Sequence, residues 1–134
     1  MSRQKNVMTS HDLSGHAILE VYPMKHILFV CSQNRLRSPT AEQVFSGRPG
    51  IEVDSAGLNP DAVNPVCNEL LEWADVIFVM EKSHKNKLLK KFRVHMHSQR
   101  VICLDIPDDY EFMDPKLIEV LQFKVNSYFT RMGL

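Results

Sequence analysis

From Met24 onward the chain alternates short apolar runs with longer stretches of mixed polarity. Residues 26–31, 51–55, 75–80 and 100–104 are rich in Val, Ile, Leu and Phe, and several lack the strict apolar/polar alternation of a half-exposed strand. Near-continuous apolar runs of that length are what strands covered on both faces show. Between and after them, residues 38–47, 65–73, 83–92 and 115–129 carry helix formers with spaced apolar positions. The pattern predicts an α/β protein: a single domain with a parallel four-stranded sheet and helices on both faces. No internal repeat or low-complexity linker interrupts it. Residues 1–23 lack a continuous apolar segment, which argues against a signal peptide or membrane span. Met24 stands directly before the first strand, so the expected division is an extension, 1–23, and a domain, 24–134. Residues 17–22 are a candidate for one more short strand or a docking segment.

The first strand leads into the stretch that carries chemistry. It ends at Cys31, followed by a five-residue loop (Ser32, Gln33, Asn34, Arg35 and Leu36), then Arg37, Ser38 and Pro39. A loop wrapped over a helix start turns backbone N–H groups and the positive end of the helix dipole toward one small anion above the Cys31 sulfur. Arg37 suits the rim of such a cradle, because its planar fork binds two oxygens of a tetrahedral oxyanion at once. Asn34 suits the tight turn, since Asn tolerates left-handed backbone better than most residues. Ser38 reads as the helix N-cap with Pro39 at the first helical position, and its hydroxyl is also a donor for a thiolate. A cysteine beside an arginine at a helix N-terminus is set up as a nucleophile. The blander alternative is a buried cysteine closing a strand and an ordinary surface arginine, which would not need this strand, loop and helix context.

A reaction that expels an oxygen leaving group also needs a proton donor, and the acidic candidates lie between Leu104 and Pro115. Asp114-Pro115-Lys116 before Leu117-Ile118 reads as an N-cap and first helical proline. That leaves Asp108 and Asp109 in Pro107-Asp108-Asp109-Tyr110 as the stronger candidates.

The strand-Val30-Cys31-x-x-Asn34-x-x-Arg37-Ser38-Pro39-x-Ala41-Glu42 series resembles the signature of the low-molecular-weight protein tyrosine phosphatase family. Asp54-Ser55-Ala56-Gly57 is similar to the family's S-A-G element, and Ala74 to Glu81 to its central strand ending in Met-Asp. The resemblance runs from Met24 to the C-terminus. It implies a flavodoxin-like fold and a phosphomonoesterase that works through a phosphocysteine. It also implies Cys31 as nucleophile, Arg37 on the phosphoryl oxygens, Asn34 holding the loop, Ser38 on the thiolate, Ser55 in support and Asp108 as general acid. Substrates would be a phosphorylated protein or a small phosphomonoester, with phosphate and vanadate competing and no metal or other cofactor. Two departures stand out. Leu36 replaces the second cysteine that many members carry, and the short stretch from Gly57 to Trp73 lacks the family's second helix with its histidine and an aromatic wall for a phosphotyrosine ring.

Composition changes this picture little. Sixteen basic and sixteen acidic residues leave the 134-residue chain with zero formal net charge, so no global field favours nucleic acid or a membrane as partner. Three cysteines, an odd number without framework spacing, fit a reducing, cytoplasmic compartment. Lys85, Lys87, Lys90, Lys91 and Arg93 read as a solvated basic face, and His95 and His97 lack companions at metal-ligand spacing. Met80 and Trp73 read as core. An arsenate reductase on the same fold is the first alternative, although Cys67 and Cys103 are far apart in sequence; a non-catalytic phosphate- or partner-binding module is the second.

Overall fold

The computed structural model describes residues 24–134, so the extension 1–23 and its segment 17–22 lie outside the described residues. Four strands alternate with four helices: β1 (Lys25–Cys31), α1 (Arg37–Phe45), β2 (Ile51–Gly57), α2 (Asn68–Trp73), β3 (Val76–Val79), α3 (Lys82–Phe92), β4 (Arg100–Cys103) and α4 (Pro115–Met132), with a 3₁₀ turn at Arg93–His95. The strands form one sheet in the order β2-β1-β3-β4, and every pairing is parallel. Parallel neighbours require crossover connections, and the helices between the strands supply them.

Strand periodicity sorts the core onto the two faces of the sheet. Ile27, Phe29 and Cys31 pack with α1 and α4 through Ala41, Phe45, Leu117, Leu121, Val125 and Phe129. Leu28 and Val30 face the other way, toward Leu70, Leu71 and Leu88 of α2 and α3. Burying such a side chain fully is worth about 1.5–3 kcal/mol, and β1 contributes four in succession, Ile27 to Val30. The predicted four-stranded parallel sheet with helices on both faces is therefore the observed one.

Local chemistry explains most boundaries. Asp114 caps α4, its side chain accepting from the Lys116 N–H at 2.9 Å; Pro115 opens the helix and Gly133, with φ of 80°, closes it. Two expectations needed correction. α1 begins at Arg37 without a side-chain cap, so Ser38 lies inside the helix rather than capping it. α2 begins at Asn68 rather than near residue 65, because Pro65 runs extended and bridges to Gly57 at the end of β2.

Candidate active site

The loop from Ser32 to Leu36 sits at the C-terminal end of β1, the central position where open parallel sheets place ligands. Asn34 makes the turn with φ of 57°, the left-handed conformation its residue type tolerates. Its side-chain amide donates one hydrogen to Ser38 Oγ at 2.9 Å and the other to Ser55 Oγ at 3.0 Å. Ser55 passes its own hydrogen to Glu42 Oε1. Ser38 Oγ, already accepting from Asn34, lies 3.0 Å from Cys31 Sγ and 3.4 Å from the Ala56 carbonyl. Either atom can be the donor in the Cys31–Ser38 contact, and if Cys31 is a thiolate the hydroxyl is the donor. Of the two roles expected of Ser38, cap and partner of the Cys31 sulfur, only the second is taken up.

The loop is braced from the side by the segment after β2. Leu58, Asn59 and Val63 donate backbone N–H bonds to the carbonyls of Cys31, Ser32 and Gln33 at 2.9, 3.0 and 3.0 Å. Gly57 lies beneath the brace. A Cβ there would stand 2.5 Å from Ala62 Cβ, 2.7 Å from the Ser32 carbonyl oxygen and 2.9 Å from the Asn34 nitrogen.

Arg37 is 3% exposed and firmly held. Its Nη1 donates both hydrogens, one to Glu81 Oε2 at 2.5 Å and one to the Ile106 carbonyl at 2.7 Å. Asp108 Oδ1 stands 3.6 Å from Nε, facing the edge of the guanidinium that Nη1 does not use. The Arg37 hydrogen bond holds the Glu81 carboxyl below the usual carboxylate range, against the opposing effect of burial. Glu81 thus stays charged and fixes the guanidinium in place before any ligand arrives.

A buried histidine completes the surroundings. His84, in the first turn of α3, accepts the Glu81 backbone N–H at Nδ1 (3.1 Å) and places Nε2 3.0 Å from Ser32 Oγ. Burial, with the positive charge of Arg37 nearby, pushes its imidazole below the ordinary histidine range.

Cys31, Ser32, Gln33, Arg35, Leu36, Arg37 and Asp108 line one cleft of about 160 Å³. Asn34, Ser38 and Ser55 lie buried behind its wall. Asp109 is not among the lining residues, and Asp114 is occupied as the α4 cap. Neither His84 nor Glu81 stands out in the sequence, because their partners are 52 and 44 positions away. The signal that finds them is strand register: Val30 pairs with Val79, so the residues just beyond β1 and β3 must meet. Elsewhere, Met80 is fully buried and Trp73 stacks on His26 with ring centroids 4.6 Å apart. A larger cleft of about 550 Å³, lined in part by Lys25, Asp75 and His97, holds none of these site residues. No helix among the described residues is long and apolar enough to cross a membrane.

No family model and no curated protein matches the sequence. Solved structures do match the fold. The tyrosine phosphatase Wzb from Escherichia coli K30, in complex with phosphate, superposes with a TM-score of 0.68 at 18% identity, over 82% of this chain and 99% of that one. A low-molecular-weight protein tyrosine phosphatase from T. tengcongensis gives 0.67 at 21% identity, over 80% and 99%. The YwlE arginine phosphatase from Geobacillus stearothermophilus gives 0.60 at 23% identity, over 80% and 96%. The chain has the fold of the low-molecular-weight protein tyrosine phosphatases across nearly the whole length of these neighbours.

Proposed function

We propose that this chain is an enzyme of the low-molecular-weight protein tyrosine phosphatase family, a cysteine-dependent phosphomonoesterase whose phosphatase domain is residues 24–134. The observation that carries this reading is Cys31 Sγ, 3.0 Å from the Ser38 hydroxyl in a cleft also lined by Arg37 and Asp108. The fold neighbours support it: they include tyrosine and arginine phosphatases, and one YwlE variant carries a phosphorylated active-site serine.

In the free protein Asp108 stands over Arg37 Nε, and its side chain is 61% exposed in a loop outside the regular elements. An incoming phosphoryl dianion takes the Nε and Nη2 edge and displaces that carboxyl toward the leaving group. The Cys31 thiolate then attacks phosphorus, the bond from phosphorus to the ester oxygen breaks, and Asp108 in its acid form gives that oxygen a proton. The product is a phosphocysteine and an alcohol. Water next attacks the phosphocysteine, Asp108 takes the water proton, and the P–S bond breaks to return thiolate and inorganic phosphate. Arg37 and the loop amides stabilise charge on the equatorial oxygens in both steps. Ser38 stabilises the thiolate as it departs.

None of the described residues lining the cleft is aromatic. The phosphoryl group therefore supplies most of the binding, and the site accepts a phosphorylated protein or a small phosphomonoester with little discrimination. Phosphate and vanadate compete for the same cradle. Neither Cys67 nor Cys103 lines the cleft with Cys31, which does not favour the arsenate reductase alternative. The test is turnover of p-nitrophenyl phosphate. The parent should be active and vanadate-sensitive, and Cys31→Ser should lose roughly 10³-fold or more while still binding phosphate. Substantial hydrolysis by the serine variant overturns the mechanism.

A further inference from the structure

We infer that His84 is a positioning residue of this site, acting through Ser32: the imidazole orients the Ser32 hydroxyl so that it donates its hydrogen to the phosphoryl oxygens. The inference rests on the phosphatase reading above and adds a further donor group to Arg37 and the loop amides. It begins with proton accounting. The Glu81 backbone N–H is only a donor, so the His84 Nδ1 that meets it at 3.1 Å must present its lone pair. In a neutral imidazole the proton then sits on Nε2, which donates to Ser32 Oγ at 3.0 Å. One Ser32 lone pair is thus occupied, and the serine hydrogen remains to be donated. Among the described residues no acceptor is paired with that hydrogen, while Ser32 lines the cleft directly beside Cys31.

The surroundings keep this arrangement in force. His84 is 3% exposed, and its ring is gripped at both nitrogens. Arg37 and Lys87 disfavour a second proton, Glu81 and Asp108 favour one, and burial outweighs them all toward the neutral form. A protonated ring would aim an N–H at the Glu81 N–H, which the geometry does not accommodate. Ser32 itself is fixed on its other side by the Asn59 N–H on its carbonyl. Ser32 lines the cleft beside Cys31, where a phosphoryl oxygen can accept that hydrogen. His84 and Glu81 also form a reciprocal pair at the start of α3. A purely structural role would be confined to that pair, so the two readings separate by experiment.

The experiment is a double-mutant cycle on Ser32→Ala and His84→Ala, with His84→Gln as the conservative variant and Cys31→Ser as the reference. Each protein is assayed for kcat and KM on p-nitrophenyl phosphate, for inorganic phosphate affinity by calorimetry, and for thermal stability. Losing a hydrogen bond to a charged group should lower kcat about tenfold in each alanine variant, with phosphate affinity falling in parallel. The double variant should be no worse than either single one. The glutamine amide can still donate to Ser32, so His84→Gln should keep kcat near the parent's. In the parent, imidazole ¹⁵N shifts should report the proton on Nε2 and should move when phosphate binds. Multiplicative losses, or a His84→Ala protein that is less stable yet keeps full kcat and phosphate affinity, overturn the inference. Unchanged ¹⁵N shifts on phosphate saturation overturn it without any variant, should His84→Ala fail to fold. An active Cys31→Ser sinks the phosphatase reading instead, whatever the His84 result.

Discussion

Adding one methyl group at Gly57 tests the packing beneath the phosphate loop. The Cβ of Gly57→Ala would meet Ala62 Cβ at 2.5 Å, the Ser32 carbonyl oxygen at 2.7 Å and the Asn34 nitrogen at 2.9 Å. Ordinary contact lies near 3.5 Å or more, so the Ser32 carbonyl would have to retreat by about 0.8 Å. It is not free to do so, because that carbonyl accepts from Asn59 N–H and the Gly57 backbone is itself tied to Asn64 and Val66. Overpacking of this kind costs roughly 1–3 kcal/mol, and a protein of this size loses on the order of 4 °C in melting temperature for each of them. A loop displaced by about 1 Å loses on the order of 10²-fold in turnover. Urea unfolding, p-nitrophenyl phosphate turnover and phosphate calorimetry read the three consequences. Gly47→Ala is the control, since nothing lies within 4 Å of a Cβ there, and it should stay within about 0.5 kcal/mol of the parent. A Gly57→Ala protein with the parent's urea midpoint and turnover would refute the packing described here.

Two further outcomes are expected. Asp108→Asn should slow hydrolysis of phenyl phosphate by roughly 10²-fold or more while sparing p-nitrophenyl phosphate, whose leaving group needs little help; the same selective loss in Asp109→Asn instead would transfer the acid role to its neighbour. The lowered His84 value has a sign: the unfolded chain takes up the proton at the ordinary histidine value of 6.5 while the folded protein still refuses it, so stability falls as pH drops below 6.5, until the folded value is reached. Urea midpoints for His84→Gln should lack that part of the slope. Glu81, also lowered, contributes stability that is present above its ordinary value of 4.5 and lost as pH falls below it, a separate and more acidic window. Equal slopes for parent and His84→Gln just below the ordinary histidine value of 6.5 would contradict the buried neutral imidazole.

Local pattern carried far in this chain because its elements are local. The β1 run is apolar on both faces because helices cover both, and Asp114-Pro115 declares the start of α4 through its own side chain and ring. Cys31, Asn34, Arg37 and Ser38 were legible for the same reason, lying within eight residues of one another. Of the two roles open to Ser38, the cap was not taken up, because its hydroxyl is drawn inward by Cys31 and Asn34. Sequence logic failed at residues 65–67, where helix-compatible sequence is held extended by the bridge to Gly57. Glu81 and His84 were invisible as site residues because parallel pairing, a non-local event, brings α3's first turn against the loop. Asp108, the acid that the resemblance implies, faces Arg37 Nε at 3.6 Å, a contact that no spacing within the loop encodes.

The brace from Leu58, Asn59 and Val63 is made of main-chain N–H groups, and every residue except proline owns one. Drift in this segment is therefore filtered by backbone shape more than by side-chain identity. Val63, 68% exposed, can be rewritten for a new neighbour while its amide continues to hold Gln33. Asn59, half-buried, has a narrower licence, and Leu58 the narrowest because its side chain is buried. Evolution is thus free to repaint the surface beside the cleft while the cradle keeps its form, with proline at these three positions as the forbidden letter.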